Sequence, residues 1–346
     1  MRYKLLGKSG LRVSELALGT MTFGEDWGFG ASKEESTKIF NLFLEAGGNF
    51  IDTANNYTNG SSETFLGELI KPNREQFVIA TKYSLSTRSH DPNGGGNHRK
   101  NMIQSVEASL KRLQTDYIDV LWLHAWDFLT PVEEVMRGLD DLVRAGKVLY
   151  IGISDTPAWI VSQANTIAAL RGWTPFIGLQ IEYSLLQRTP ERDLLPMARA
   201  LDIGVTAWGP MAGGALTGKY SSKLDSANME PKRLSPNSAR LNAKNTEIAQ
   251  MVVEIAKEIS KSPAQVALNW VRQQSGVIIP IVGARKESQL KDNLASLDFI
   301  LDDNHLNKLH EVSKIELGFP HDFLSSEPVL NVLHGDTRLL IDNHRK

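Results

Sequence analysis

The chain has 346 residues, of which 41% are hydrophobic, and this length suffices for a sizeable core in one barrel-sized domain. A formal net charge of −2 gives no reason to expect a nucleic acid or an anionic membrane as a partner. The absence of cysteine excludes disulfide bonds, cysteine zinc sites and thiol nucleophiles. The N-terminus lacks the apolar segment of a signal peptide, and no apolar run approaches the ~18 residues needed to cross a bilayer. We therefore expect a cytoplasmic protein.

The first predicted element is a β-hairpin, formed by residues 3–6 and 11–13 around a glycine-containing turn. After it, short apolar runs alternate with segments of helical period. The runs are residues 16–18, 50–52, 77–80, 118–123, 148–151, 177–181, 203–207 and 277–281. Eight strands that alternate with helices predict parallel βα units, and hence an α/β fold of the (β/α)8 TIM-barrel type.

Helix starts and ends are marked by capping signals. Ser32 with Glu35, and Ser61 with residues 63–64, predict capping boxes at the starts of two helices. Residues 302–314 predict the last helix.

Two long segments interrupt the alternation of strands and helices. Residues 88–99 are rich in glycine, proline and asparagine, which predicts a loop after the third barrel strand. Residues 209–245 follow the seventh barrel strand and predict a second long loop, and loops of this length are usually functional. The tail from about residue 318 is predicted to fold over the barrel rim. Since no linker divides the chain, we expect a single domain over residues 1–346.

Four ionisable residues fall at or just beyond the C-terminal ends of candidate strands. Asp52, Lys82 and His124 end three strands, and Tyr57 follows the first of these strands by five residues (57 − 52 = 5). Because the C-terminal ends of parallel barrel strands share one rim, we expect the four side chains to lie together.

Together these four side chains predict a proton donor. A tyrosine keeps its proton at neutral pH, and a nearby lysine ammonium is expected to lower the pKa of Tyr57. Asp52 would hold Lys82 in place, and His124 could donate a hydrogen bond to a substrate oxygen. Such a set assists the conversion of a carbonyl to an alcohol, but the hydride must come from a cofactor, since side chains supply none.

Each of these residues also has a structural explanation. Taken alone, Asp52 could cap a loop, Lys82 could be a surface amine and His124 a structural imidazole. Trp126 and Trp208 are more often packing residues than ligand contacts. The catalytic interpretation is favoured because all four residues fall at or just beyond the ends of successive strands.

Other motifs are incomplete. Residues 213–219 nearly match a P-loop, but Tyr220 stands where that motif has serine or threonine, so a phosphate clasp without hydrolysis is favoured. No strand is followed by the Rossmann glycine pattern. His124 and Asp127 lack a third metal ligand, so we expect no metal site.

The sequence around the four residues resembles the aldo-keto reductases. Residues 52–67, from Asp-Thr-Ala-Asn-Asn-Tyr to Phe-Leu-Gly, are similar to the first fingerprint of that family. The similarity continues in order through residues 80–82, 123–124, 152–154, 180–184, 215–220 and 283–285, Gln289 and Asn293. It implies a (β/α)8 barrel that binds NADP(H) across its C-terminal rim, with Tyr57 as general acid, Asp52 and Lys82 as its tuning pair and His124 as the orienting donor.

The resemblance also implies the cofactor contacts. The nicotinamide end is expected to lie near Asp52, Ser154, Asp155 and Gln180, with Tyr183 stacked on the ring. The other expected contacts follow the first, seventh and eighth barrel strands: Gly19, Thr20, Met21, Trp208, Gly209, Pro210, Met211, Gly213, Leu216, Lys219, Gly283, Arg285, Gln289 and Asn293.

Two of these positions affect how the cofactor is recognised. Arg285 suits a 2′-phosphate, which favours NADP(H) over NAD(H). Asp155 replaces the asparagine of many relatives, and a carboxylate cannot donate a hydrogen bond to the nicotinamide carboxamide. Ser154 and Gln180 are alternatives for that contact.

The expected substrate is a small carbonyl compound, and the branch resembled most contains aryl-alcohol dehydrogenase-like enzymes and potassium-channel β subunits. Trp27 and Trp126, beside Tyr57 and His124, are the predicted substrate contacts, with further aromatic residues at 319–323. They favour an apolar or aryl aldehyde, or the reverse oxidation of an aryl alcohol.

A second hypothesis is a regulatory subunit that binds the nucleotide with little turnover. The hairpin begins at Tyr3 and leaves no room for an N-terminal interaction segment, so we expect an enzyme. The sequence leaves open whether it forms a homo-oligomer.

Overall fold

The computed structural model describes residues 1–220, 234–235 and 238–343. It begins with an antiparallel hairpin of β1 (Tyr3–Leu5) and β2 (Arg12–Ser14). Eight parallel strands follow and close into a barrel: β3 (Ala17–Gly19), β4 (Phe50–Asp52), β5 (Val78–Tyr83), β6 (Ile118–Leu123), β7 (Val148–Ser154), β8 (Phe176–Glu182), β9 (Gly204–Trp208) and β10 (Ile278–Gly283). The last strand pairs with the first, β10 with β3. The predicted hairpin and (β/α)8 barrel are both confirmed, and each predicted strand overlaps an observed one.

Helices surround the barrel. They are α1 (Lys33–Glu45), α2 (Ser61–Ile70), α3 (Arg99–Leu113), α4 (Val132–Arg144), α5 (Ala158–Arg171), α6 (Leu194–Ala200), α7 (Ala243–Glu258), α8 (Pro263–Arg272), α9 (Glu287–Leu294), α10 (Asp303–Val312), α11 (His321–Ser325) and α12 (Glu327–His334). The prediction that residues 302–314 form the last helix is wrong, because α11 and α12 follow α10. Both lie in the tail from about residue 318.

One of the two predicted helix caps is present. Ser32 caps α1 by accepting a hydrogen bond from the backbone N–H of Glu35 at 3.3 Å. The capping box predicted at Ser61 is wrong, because the residue before α2 is Gly60, in the left-handed conformation with φ 99°. The backbone N–H of Ser62 instead donates to Oγ1 of Thr58 at 3.1 Å. The chain therefore enters α2 from a tight left-handed turn.

The barrel interior is filled by side chains. Trp122 of β6 is fully buried there, together with Leu6 and Val13 of the hairpin. Its ring occupies the space in which side chains of the next two strands would lie. A Cβ added to Gly152 or Gly178 would approach that ring to 2.2 or 2.6 Å. Because the interior is packed and the hairpin adds to its core, chemistry is confined to the rim at the C-terminal strand ends.

The connections at this rim include the two predicted long loops. The first follows β5 and is anchored by Asn97, whose backbone N–H donates to Asp127 Oδ2 at 2.7 Å. The second follows β9 and contains 3₁₀ turns at Ala212–Thr217 and Ala239–Leu241. The rest of that predicted loop, residues 221–233 and 236–237, lies outside the described residues.

A polar pair between His321 of the tail and Asp193 of the rim has its atoms 3.2 Å apart. The tail side chains Phe319 and Phe323 pack on each other and are 85% and 55% exposed. In the described part of the chain, no helix is long and apolar enough to cross a membrane.

Candidate active site

The ammonium of Lys82 is the centre of the site. The residue is fully buried at the end of β5, and its Nζ contacts Asp52 Oδ2 at 2.5 Å, the carbonyl oxygen of Thr53 at 2.7 Å and the hydroxyl of Tyr57 at 3.1 Å. An ammonium has three N–H donors and no acceptor, so these contacts use all its donors. The Tyr57 oxygen therefore accepts a hydrogen bond from Lys82, and its own proton is left to donate elsewhere.

Asp52 balances the buried positive charge. Its Oδ1 accepts a hydrogen bond from Gln180 Nε2 at 2.9 Å, while Oδ2 accepts from Lys82. Burial lowers the pKa of Lys82, but Asp52 and Tyr57 raise it by more, so the pKa stands above its ordinary value. Lys82 is therefore charged at neutral pH, as predicted.

Tyr57 begins the 3₁₀ turn that follows β4, and its half-buried ring meets His124 edge-on with the ring centroids 6.0 Å apart. The predicted direction of its pKa shift is wrong. Burial raises the pKa of Tyr57; Lys82 opposes this, but Asp52 adds to the rise, and the pKa stands above its ordinary value. The phenol is thus firmly protonated before any reaction begins.

His124 follows β6 and is half-buried, with its backbone N–H donating to the carbonyl of Tyr83 at 2.9 Å. Burial, with a smaller contribution from the charge of Lys82, lowers the pKa of His124 to about 3. The imidazole is therefore neutral at physiological pH. Its Nδ1 is buried without a hydrogen-bond partner among the described residues, which leaves Nε2 to face the opening.

A layer of polar side chains on β7, β8 and β9 lies beside these four residues. Ser154, Gln180 and Thr206 are neighbours in the strand register and are almost completely buried. The hydroxyls of Ser154 and Thr206 have no hydrogen-bond partner in the described part of the chain. Buried hydroxyls normally find partners, so this layer fits a polar ligand group.

Asp155 and Trp208 form a pair at the rim. Trp208 ends β9 and its indole Nε1 donates to Asp155 Oδ1 at 3.0 Å. Although Asp155 is accessible to solvent, the desolvation caused by the surrounding protein and the nearby Glu182 raise its pKa, while Trp208 opposes this. Asp155 was predicted to contact the nicotinamide carboxamide. One of its carboxylate oxygens already accepts a hydrogen bond from Trp208.

Tyr183 does not lie where the sequence predicted. It is 1% exposed, its ring packs on Trp270 with the centroids 5.3 Å apart, and its hydroxyl donates to Glu191 at 2.8 Å. Its aromatic faces thus belong to the protein core and are not available to a ligand. Tyr183 lies one residue beyond the end of β8, so the orientation of Gln180 on that strand does not carry over to it.

The loop after β9 carries most of the predicted pyrophosphate contacts. Ala212, Gly213 and Gly214 have positive φ values of 50°, 68° and 94°, which make a tight glycine-rich turn. Leu216 is fully buried and Pro210 is buried. The remaining predicted contacts here are partly or fully exposed at the rim: Gly209, Met211 and Lys219.

The cofactor contacts predicted after the first and eighth barrel strands lie side by side at the β10–β3 junction, where Gly283 pairs with Gly19. Thr20 is buried, and its hydroxyl donates to the backbone of Asp52 at 3.1 Å. Met21 and Arg285 are half-buried, and Asn293 is buried. Gln289 turns back along α9, where its Oε1 accepts from the backbone N–H of Arg285 at 2.9 Å. The structure thus places the connection after β10 next to the connection after β3 on the rim.

Two predicted substrate contacts come from the connections after β3 and β6. Trp27 is half-buried and meets Tyr57 edge-on with the centroids 6.4 Å apart. Trp126 is also half-buried and packs against the hydrophobic core. The Tyr57 ring is therefore flanked by the ring of Trp27.

Several residues that support the site were not predicted from the sequence. Glu63 is fully buried, where it accepts hydrogen bonds from Arg112 at 2.7 Å and from the hydroxyl of Thr81 at 2.5 Å. Thr206 was missed, although it lies two residues before Trp208 on the same strand face. Arg240, which pairs with Glu182, comes from a loop whose path the sequence does not show.

The barrel and its proton-donor site indicate an enzyme that acts at the C-terminal rim. A sequence model of the Aldo/keto reductase family matches residues 15–314. The chain therefore belongs to the aldo-keto reductase family of oxidoreductases.

Individual relatives agree with this membership. A norsolorinic acid reductase of Aspergillus flavus is 37% identical over 334 residues, covering 94% of this chain and 84% of its own. An aryl-alcohol dehydrogenase [NADP(+)] of Phanerodontia chrysosporium is 37% identical over 342 residues, covering 94% and 89%. An aldo-keto reductase of Aspergillus calidoustus is 36% identical over 350 residues, covering 94% and 86%.

Proposed function

We propose that this protein is an NADPH-dependent reductase that converts an apolar or aryl aldehyde to its alcohol, with Tyr57 as the general acid. The observation that carries the proposal is the hydrogen bonding of Lys82. Its three donors are taken by Asp52, Thr53 and Tyr57, so the phenol proton is directed away from the ammonium. A substrate oxygen at the opening is the acceptor that completes this arrangement.

The cofactor fits the polar layer on β7–β9. The unpartnered hydroxyl of Ser154 and the Oε1 of Gln180 are suited to a carboxamide. The nitrogen of Gln180 must face Asp52, because a carboxylate only accepts hydrogen bonds, and Oε1 is therefore left for an amide N–H. Trp208, rather than Tyr183, is the aromatic residue at the rim next to this layer, and we assign it the stacking role.

Bound NADPH would supply the hydride, and the protein residues handle the proton. A raised pKa keeps Tyr57 protonated in the resting state, as an acid requires. When the proton leaves, the Lys82 ammonium stabilises the phenolate that remains. The neutral His124 donates from Nε2 to the substrate oxygen and holds it near the Tyr57 hydroxyl. Oxidation of an alcohol needs the phenolate, so the reverse reaction should gain rate as pH rises.

The preference for NADPH over NADH is assigned to Arg285 at the start of the β10–α9 connection. A guanidinium binds a phosphate through charge-assisted, bidentate hydrogen bonds, whereas the ribose of NADH offers a hydroxyl. The relative from Phanerodontia chrysosporium, named for NADP(+), supports this choice.

The substrate class is assigned from the aromatic walls and from the relatives. Trp27 offers a flat apolar surface beside Tyr57, and Trp126 follows His124 by two residues; such rings suit an aryl or other apolar group. Relatives named for an aryl alcohol and for norsolorinic acid support an aromatic substrate.

The proposal extends to domain organisation and location. As expected from the sequence, we propose that the chain forms a single domain and that the protein acts in the cytoplasm.

The test combines nucleotide binding with turnover. The purified protein is titrated with NADPH, and nicotinamide absorbance is then followed with benzaldehyde derivatives and straight-chain aldehydes. Steady oxidation of NADPH, faster with aryl than with short aliphatic aldehydes, is expected. Tight NADPH binding without turnover on any carbonyl would favour the regulatory-subunit hypothesis, and absence of binding would contradict the proposal outright.

A further inference from the structure

One ion pair on the rim has no part in the proton transfer. Arg240 lies three residues before α7, and its Nη2 donates to Oε1 of Glu182 at the end of β8. The two side chains are 34% and 21% exposed, so both charges are partly withdrawn from water. Glu182 pairs in register with Trp208, which places the ion pair beside the proposed nicotinamide platform.

The same guanidinium also lies against the glycine turn after β9. A Cβ added to Gly213 would lie 3.2 Å from Nη1 of Arg240. Nη2 thus faces Glu182, while Nη1 faces the loop that is expected to hold the pyrophosphate. Glycine at position 213 readily adopts the observed φ of 68° and leaves room for this close approach.

The carboxylate of Glu182 is poorly placed for an anionic ligand. It lies beside Gly209, whose added Cβ would be 3.7 Å from Glu182 Oε1, on the loop expected to clasp the cofactor. A second carboxylate, Asp155, directly follows the neighbouring strand β7. Burial raises the pKa of Glu182 although Arg240 opposes this, which shows that the position disfavours negative charge. A diphosphate arriving here would compete directly with Glu182 for Arg240.

We propose that Arg240 binds the pyrophosphate of the dinucleotide and that Glu182 occupies Arg240 when the dinucleotide is absent. This inference rests on the proposed function, because the cofactor presents the diphosphate. A guanidinium has five N–H donors, so it can exchange a carboxylate for phosphate oxygens without any loss of pairing. Glu182 then acts as an internal competitor, which weakens cofactor binding and speeds its release.

The test is a double-mutant cycle read by NADPH binding, followed through nucleotide fluorescence without substrate. Arg240→Ala should raise the Kd for NADPH about 10-fold or more, the loss expected for charge-assisted hydrogen bonds. Glu182→Gln should lower the Kd by about 2- to 10-fold, because Arg240 is released. In the Arg240→Ala background, Glu182→Gln should change the Kd by less than about 2-fold. Arg144→Ala, which removes a guanidinium paired with Asp140 on α4, is the matched control and should leave the Kd unchanged.

Competition predicts changes in the Kd for NADPH of opposite sign for the two single variants, which a purely structural ion pair does not. Equal weakening by both, together with a parallel fall in Tm, would show that the pair only holds the loop and would overturn the inference. If Glu182→Gln lowered the Kd for NADPH as much in the Arg240→Ala background as in the wild type, the inference would also be overturned. Glu182 would then weaken binding by simple charge repulsion.

Inorganic pyrophosphate separates this inference from the proposed function. Calorimetric binding of pyrophosphate to the wild type, lost in Arg240→Ala, supports the inference even if NADPH itself does not bind. If the wild type binds neither pyrophosphate nor NADPH, both proposals fail. Binding of pyrophosphate that is unaffected by Arg240→Ala overturns the inference alone.

Discussion

The two halves of the barrel rim are built in different ways. On β4, β5 and β6, the acid and its partners are held by a buried ion pair, with Asp52 3% exposed and Lys82 fully buried. On β7–β10, the predicted cofactor contacts include exposed residues such as Asp155 and Lys219 and a long loop. The first half fixes charges at short distances inside the protein, where they act most strongly. The second half can exchange a large anionic ligand because much of it is open to solvent.

The comparison predicts that charge removal from the buried half destabilises the protein most. Lys82→Met leaves the Asp52 carboxylate buried without its counter-ion, which should reduce the free energy of unfolding by about 3–5 kcal/mol. It should also abolish turnover. Urea unfolding followed by circular dichroism measures the loss. Asp52→Asn combined with Lys82→Met should recover part of it, since the uncompensated charge is then removed.

Lys33→Met is the matched control, because Lys33 pairs with Glu68 on the surface. Exposed ion pairs contribute little to stability, so this variant should unfold nearly as the wild type does. If the Lys82→Met protein were as stable as the Lys33→Met protein, the predicted difference between a buried and a surface ion pair would be contradicted.

The buried imidazole predicts a pH dependence of stability. The pKa of His124 is about 3 in the folded protein, whereas an unfolded imidazole titrates near 6.5. Between these values the unfolded state binds the extra proton, so stability falls as pH drops, by at most about 1.4 kcal/mol per pH unit from this group. His124→Gln should flatten the profile of unfolding free energy between roughly pH 6 and pH 4. His90→Gln, in the exposed loop after β5, is the control, and equal slopes in wild type and His124→Gln would contradict the prediction.

In the cofactor half, Arg285→Ala should act on affinity instead of stability. We expect the Kd for NADPH to rise about 10-fold while that for NADH stays nearly constant, because only NADPH presents a 2′-phosphate. Fluorescence titration with both nucleotides measures the two constants. Lys286→Ala, one residue further along, serves as a charge-matched control. An equal loss for both nucleotides would contradict the 2′-phosphate assignment.

The smallest effect is expected at Tyr183. Tyr183→Phe removes the hydrogen bond to Glu191 but keeps the ring packed on Trp270, so the Kd for NADPH should change by less than about 2-fold. Trp208→Leu should weaken binding more, since it removes the proposed platform. The opposite ranking would restore Tyr183 to the stacking role.

The difference between the two halves of the rim also decides how much of the site could be predicted from the sequence. Strands β3–β10 were predictable because a buried parallel strand reads as a short apolar run, and Asp52, Lys82 and His124 stand where such runs end. The orientation of Tyr183 was not predictable, because this residue lies beyond the end of β8 and its packing on Trp270 is a long-range contact. Arg240 could not be placed at all, because its position depends on the path of a loop and no local pattern encodes that path.

The pKa of Tyr57 shows a second limit. The sequence identified its neighbour Lys82 but not its burial, and burial sets the direction of the shift. Neighbouring charges can be inferred from strand order, whereas desolvation requires the three-dimensional packing.

The most direct test of the account is the separation of binding from turnover in Tyr57→Phe. The variant keeps the ring against His124 and removes only the hydroxyl that Lys82 contacts. We predict an NADPH affinity within a few-fold of the wild type and a fall in kcat of about 10²–10⁴ on the best aldehyde. Turnover equal to that of the wild type would contradict the assignment of Tyr57 as the general acid.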